Sequence, residues 1–438
     1  MTMAMWHKFL KIFPSLVLLL PQMIVAQQLT LQQAIDTALR NNFDIRIAKN
    51  SAEIAKTNNS YGVAGGLPIV GATAAENVSL SNSNLKFSNG TETNLSKNAE
   101  NSINAGVSAS MVLFNGFKVI ATKERLNLLQ SQGEILLNQQ IQSTIADVMV
   151  VYYDIIRQES YLKILQNSLD VSLKKLEIIS EKNKVGMANA VLMLQSQTDV
   201  NTAEQSLQSQ KLVIEQAKAD LILLMNSTIR TSFSITPNIE VDSTLQLNEI
   251  ISYLNRNPQY LSASQQVKIE QQSMKEVSAS RYPAVHLLTG YDFMHNTSSK
   301  GSTTLNQNFG PSAGITMQVP IFNGNIYKTQ KEVAHIRINN SILEKESLLI
   351  ALHTQANNTY LAYSTNLQQI KSQQKNLEMA SQLVDVVMQN FQVSQATILD
   401  VKAAQTSYEN AAFMLVNLQY AAKVAEINLK VLTYQLGL

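Results

Sequence analysis

The chain has 438 residues, only 15% of them charged, a formal net charge of +2, 6% aromatics, Gly 15, Pro 8 and Cys 0. An ordinary soluble protein carries about 25% charged residues. The lack of cysteine excludes disulfides, zinc-thiolate sites, a cysteine nucleophile and a lipidated cysteine; the near-neutral balance excludes a global basic field for nucleic acid; the scarcity of Pro and Gly argues against a disordered chain.

Residues 1–26 read as a signal peptide. Lys8 and Lys11 form a positive start, 13–20 are apolar, and Ile24-Val25-Ala26 ends on a small residue. The apolar run is short, broken by Pro14 and followed by Pro21, so it does not suit a membrane anchor. The segment carries two Lys and no acid, which leaves 34 − 2 = 32 basic against 32 acidic residues, and the exported chain is neutral.

The rest of the chain is written twice. Leu113-Phe114-Asn115-Gly116 recurs as Ile321-Phe322-Asn323-Gly324, an offset of 322 − 114 = 208. The same offset aligns Tyr152 with Tyr360 and Gln197 with Gln405. Nearer the start the offset is 257 − 42 = 215, aligning Asn42 with Asn257 and Pro68 with Pro283. A period this long is a duplicated domain rather than a solenoid unit. The first repeat covers 27–230: a helix from 31 to about 64, strands at about 68–80 and 104–114, a long helix over 117–184 and another over 188–226. A linker follows at 231–246. The second repeat covers 247–438: a helix to about 280, strands at about 283–293 and 312–322, a long helix over 325–392 and another over 396–436.

The strands alternate. Val107, Ala109, Met111 and Leu113 are separated by Ser108 and Ser110, and Ile315, Met317, Val319 and Ile321 by Thr316 and Gln318. One apolar and one small-polar face suits a membrane β-strand with lipid outside and water inside, and equally a half-buried strand of a soluble sheet. A barrel needs about eight strands, so four per chain close only by oligomerisation. In the first long helix Ile141, Val148, Ile155, Leu162, Leu169 and Leu176 recur every seven residues, with partners Leu349, Ala356, Tyr363, Ile370, Leu377 and Val384. Such a seam means coiled-coil packing, and each long helix would run about 100 Å at ~1.5 Å per residue.

With these residues in place the chain resembles the TolC family of outer-membrane efflux proteins over about 29–438. The resemblance rests on Leu29-Thr30-Leu31-Gln32-Gln33-Ala34-Ile35 with Asn41-Asn42, the two Phe-Asn-Gly turns, Val185-Gly186-Met187 at the first helical tip, and Thr397-Ile398-Leu399-Asp400-Val401 after the second. It implies a mainly α fold with a transmembrane β-barrel. Three copies would form a twelve-stranded outer-membrane barrel continued by a long periplasmic α-helical barrel. The implied function is the exit duct of a tripartite efflux pump or type I secretion system, with a periplasmic adaptor and an inner-membrane transporter as partners and the barrel set in outer-membrane lipid. An exported coiled-coil interaction protein without a pore is the alternative.

The family's tip turn meets the adaptor, which makes Val185, Gly186, Met187, Val393 and Ser394 contact candidates; Ser394 stands where the first tip has glycine. Asp400 aligns with an acid of the prototype's closed mouth, and Phe391 and Leu192 with further gate positions. Ala403, Ala396, Leu192 and Phe391 depart from the prototype's gate residues, so the resemblance implies a weaker or more apolar lock than a salt bridge. The segments 79–102 and 296–308 would be outward loops. Gly310-Pro311-Ser312-Ala313-Gly314 matches the nucleophile elbow of hydrolases, but that motif needs a strand, a tight turn and a helix, and here a polar loop precedes it and a strand follows. His286, His295, His335 and His353 lack ligand spacing. No catalytic residue, metal or cofactor is expected.

Overall fold

The computed structural model describes residues 27–227, 233–236 and 238–436; the leader at 1–26 and part of the linker lie outside them. In chain order the elements are β1 (Gln27–Gln28), α1 (Leu31–Asn41), α2 (Phe43–Asn58), β2 (Ile69–Lys86), β3 (Glu92–Phe114), α3 (Lys118–Lys184), α4 (Ala190–Met225) and β4 (Phe233–Ser234). There follow α5 (Leu247–Tyr253), a 3-10 turn (Leu254–Arg256), α6 (Pro258–Ala279), β5 (Ala284–Ser298), β6 (Leu305–Gln318), α7 (Ile326–Gln392) and α8 (Ile398–Leu432).

The helix expected over 31–64 is two helices, and the reason is Asn42. Its backbone N–H closes α1 on the Ala38 carbonyl, while its Oδ1 accepts from Asp44 and Ile45 N–H and so caps α2. Its Nδ2 donates to the Leu224 carbonyl at 2.9 Å, at the end of α4. Asn257 does the same in the second half. It caps α6 through the Gln259 N–H and donates to the Leu432 carbonyl of α8 at 3.1 Å. Each short helix is thereby spliced end to end onto a returning helix. Above the splice α2, α3, α6 and α7 pack side by side in that order; below it the order is α4, α3, α8, α7.

All twelve heptad residues are buried or half-buried. Both long helices begin with two successive left-handed residues, Gly116-Phe117 and Gly324-Asn325. Gly116 is also a steric requirement: a Cβ there would sit 2.6 Å from the Ala279 carbonyl and 2.7 Å from Tyr282 Cβ. The main core lies at the splice level. Leu29, Ala34, Ala38, Val148, Tyr152, Ile155, Leu221 and Met225 pack together in the first half, and Ile250, Leu254, Leu352, Ala356, Tyr363 and Leu429 in the second. Tyr152 donates to the Leu29 carbonyl at 3.0 Å. Sequence offset pairs it with Tyr360, yet the matching bond, to the Asp242 carbonyl, comes from Tyr363, one turn further along α7.

The four long strands form one antiparallel sheet in the order β2-β3-β5-β6. Their ends differ from the sequence expectation. The polar segment 79–102 is mostly strand, and only 87–91 separates β2 from β3. Asn, Ser and Thr pair there because ladder bonds use backbone groups and need no apolar face. Likewise β5 runs on to Ser298. The last strand, expected over 312–322, starts earlier, at Leu305, and stops at Gln318, just before Pro320, which has no N–H to give a ladder. Val319 and Ile321 therefore lie beyond it.

Candidate functional site

The far end of the α3/α4 and α7/α8 hairpins gathers the residues singled out at the tip. α3 closes with Gly186 at φ 75°, and the Met187 N–H donates to the Lys182 carbonyl at 2.8 Å. α7 closes the same way: Ser394 takes φ 65°, and the Gln395 N–H donates to the Asn390 carbonyl at 2.8 Å. The serine adopts the left-handed backbone that glycine adopts in the first hairpin, so the two turns have one shape despite the substitution. Asn189 then caps α4 through the Leu192 N–H, and Thr397 caps α8. Val185, Met187 and Val393 project into solvent, with Val191, Leu194 and Leu399 exposed beside them.

Phe391 and Leu192 come together; Asp400 stays apart from them. Phe391 is buried with Ile179, Ile398 and Val401, and Leu192 and Ala396 pack against that cluster. Asp400 is fully exposed. It forms a capping box, accepting from the Thr397 N–H at 2.8 Å and the Thr397 hydroxyl at 2.7 Å. These two bonds hold its carboxyl below the ordinary carboxylate range.

Three lysines that sequence reasoning did not single out act here: Lys182 and Lys402 tie the hairpins to each other, and Lys175 ties α3 to α4. Lys182 donates to the Phe391 carbonyl at 2.6 Å and the Ser394 hydroxyl at 3.0 Å, and its ammonium lies 4.8 Å from the centre of the Phe391 ring. It thus reaches one C-terminal carbonyl of α7 from the end of α3. Lys175, fully buried, meets Asp199 of α4 at 2.5 Å, and Asp199 also meets Lys402 of α8 at 3.2 Å. Burial would raise the Asp199 carboxyl, but the two lysines more than offset it and hold it low. A further polar contact joins α8 to α3, with Gln405 donating to Ser168 and Ser172. The only sequence signal for these bonds was a lysine without an acid at helical spacing; their partners lie on other helices.

Gly310-Pro311-Ser312-Ala313-Gly314 runs extended inside β6, which is not the geometry of a nucleophile elbow. Among the described residues no helix is long and apolar enough to cross a membrane.

A family model described as "Outer membrane efflux protein" matches residues 34–227 and 250–433. Among curated relatives, "Cation efflux system protein CusC" of Escherichia coli strain K12 is 24% identical over 413 residues, covering 90% of this chain and 84% of its own. "Probable outer membrane lipoprotein SilC" of Salmonella typhimurium is 20% identical over 407 residues, covering 90% and 83%; unlike a lipoprotein, the present sequence has no cysteine to carry a lipid. The solved structure of the outer membrane protein VceC from Vibrio cholerae superposes with a TM-score of 0.76 at 17% identity, covering 92% of this chain and 95% of that one. The alternative of a poreless coiled-coil protein finds no support in this company. With both of its halves matched, the chain belongs to the outer membrane efflux protein family and is an outer-membrane efflux channel.

Proposed function

We propose that three copies of this chain close into one duct, which receives cargo at the hairpin tips from a periplasmic adaptor and an inner-membrane transporter and releases it outside. The carrying observation is that, among the described residues, each protomer is unpartnered on the same two sides at every level. In the sheet the free edges are β2 and β6. Above the splice the outer helices are α2 and α7, below it α4 and α7. These edges carry exposed apolar rows: Phe43, Ile47 and Ile54 on α2, Ile336, Leu343 and Ile350 on α7. Two different surfaces that complement each other make a head-to-tail contact, which closes into a ring when the rotation allows. Three copies give twelve strands and no remaining sheet edge, the arrangement a bilayer requires of β-structure.

In this reading Val185, Gly186, Met187, Val393 and Ser394 meet the adaptor, and Asp400, Phe391 and Leu192 stand near the constriction. Light scattering on detergent-extracted protein, with detergent mass subtracted, tests the assembly. A particle of three chains is expected; a monomer that stays in solution without detergent would refute it. Val185→Glu with Met187→Glu tests the tip: the trimer should persist while adaptor co-purification is lost, and retained adaptor would remove these residues from the contact.

A further inference from the structure

The ladder register sorts the sheet into two faces. One carries Val107, Ala109 and Met111 of β3, Val285, Leu287, Tyr291 and Phe293 of β5, and Phe309, Ile315 and Met317 of β6. This apolar face runs on β5 from Val285 to Phe293, a span that fits the ~9–11 residues of a membrane strand, and it meets lipid. The opposite face carries Ser108 and Ser110, Gly290, Ser312 and Thr316, and it meets water inside the barrel.

Across the sheet up to the irregularity after Ser81, residues 69–81, 98–114, Ala284–Ser298 and Leu305–Gln318, there is no Lys or Arg; Lys86 pairs with Glu92 in the β2–β3 ribbon beyond it. The acids are Glu76, Glu100 and Asp292. Glu76 stands opposite Ile103, on the apolar face beyond the aromatic residues, where its carboxylate accepts from Asn101 at 3.0 Å. Glu100 and Asp292 share the inner face. Glu100 lies opposite Ser298, at the outer end of the β3–β5 pairing; Asp292 lies in the middle of β5, opposite Gly106 on one side and Gly310 on the other. Its neighbours along the strand on that face are Gly290 and Met294, and Ser312 donates to its carboxylate at 3.2 Å. A Cβ on Gly106 would lie 2.7 Å from an Asp292 carboxylate oxygen, so the carboxylate occupies the space that this glycine leaves open.

From this arrangement we infer that Asp292 sets the charge preference of the barrel, favouring small cations over small anions, a property separate from any gate at the periplasmic tip. The inference rests on the trimeric barrel proposed above. Twelve strands about 4.8 Å apart and tilted about 40° make a backbone cylinder of roughly 12 Å radius. Allowing about 3 Å for the side chain, three carboxylates stand roughly 9 Å from the axis. That is close to the ~8 Å Debye length at 0.15 M salt and well inside the ~30 Å at 0.01 M. With no Lys or Arg on the same wall of that region to cancel them, the carboxylates act on every ion that passes, most strongly at low salt.

The test is the reversal potential of the full-length channel in planar bilayers under a KCl gradient, near 0.01 M and again near 1 M. Asp400→Asn serves as the background, so that a tip ring does not mask the barrel. The parent should prefer potassium to chloride at low salt. Asp292→Asn should lower that ratio by about twofold or more near 0.01 M and hardly at all near 1 M. Gly310→Lys gives a second arm: a Cβ there meets open space, and a lysine across from Asp292 should shift the preference toward chloride. Glu76→Gln, on the lipid face, should change nothing.

If the parent conducts and neither Asp292→Asn nor Gly310→Lys moves the ratio at low salt, the inference is overturned. A fall in Glu76→Gln as large as in Asp292→Asn would overturn it too, because the two faces would then be reversed. If the parent forms no channel at all, the trimeric barrel itself fails and this inference falls with it.

Discussion

Asn42 and Asn257 each perform three tasks with one side chain: they cap a helix, interrupt a longer helical run, and bind the carbonyl end of another helix. Both are buried. Asn42→Ala or Asn257→Ala should each cost about 1–3 kcal/mol, because a cap is lost and a buried carbonyl is left unpaired. The measurement is the temperature at which the oligomer dissociates in detergent, and an unchanged value would mean the splice bears no load. Asp199 is the second case. Asp199→Asn leaves the buried Lys175 ammonium without its counter-charge, a loss of about 3–5 kcal/mol for such a break. The linkage to pH follows from its lowered carboxyl. The stabilisation is present above the unfolded carboxylate value of about 3.9 and disappears as pH falls through the lower folded value. Unfolding followed from pH 7 to pH 3 should show the gap between parent and Asp199→Asn shrinking only at the acid end.

Single elements carry their own consequences. The tip turns need a left-handed residue at 186 and at 394, and glycine has no Cβ to penalise that conformation. Gly186→Ala should destabilise the first hairpin by about 1–2 kcal/mol. Ser394→Gly should relieve the same strain in the second while removing the hydroxyl that Lys182 holds. Hydrogen exchange on residues 385–400 would resolve the two effects: faster exchange means the Lys182 contact dominates, slower exchange means backbone strain does. Lys182→Met tests the clasp directly, and exchange should quicken at the Phe391 turn because the Phe391 carbonyl and the Ser394 hydroxyl lose this donor. In the sheet, β2 and β3 stay paired to Lys86 and Glu92, well past the end of β5 at Ser298, so this hairpin projects beyond the four-stranded part as a polar ribbon.

At the scale of the whole molecule, the absence of cysteine makes the protein its own blank for cross-linking. If α2 of one copy packs on α7 of the next, paired cysteines at Ile54 and Leu343 should give a ladder that ends at three chains on oxidation. Either cysteine alone should give none. A ladder that stops at two chains would point to a symmetric dimer, in which the two free edges face their own kind and the barrel stays open. Both positions are exposed in the protomer, so the substitutions leave its core intact.

The duplication, the seven-residue seams and the alternating strands are all legible in the sequence, because each depends on local order: a period of seven, a period of two, or a motif written twice at one offset. Asn42 and Asn257 were visible as repeat partners, but their splicing role was not, since Leu224 and Leu432 lie far along the chain. The polar stretch after Ser79 reads as loop in one dimension and pairs as strand in three, because a ladder is held by backbone groups that composition does not report. Lys175 looks like any surface lysine of an amphipathic helix until α4 and α8 close over it. Asp292 looks like one acid among many until the register sets it on the inner face between two glycines with no Lys or Arg on the wall around it. Periodicity reveals which face of an element is covered, and only the packing of distant elements decides what covers it and which charges are left to meet water.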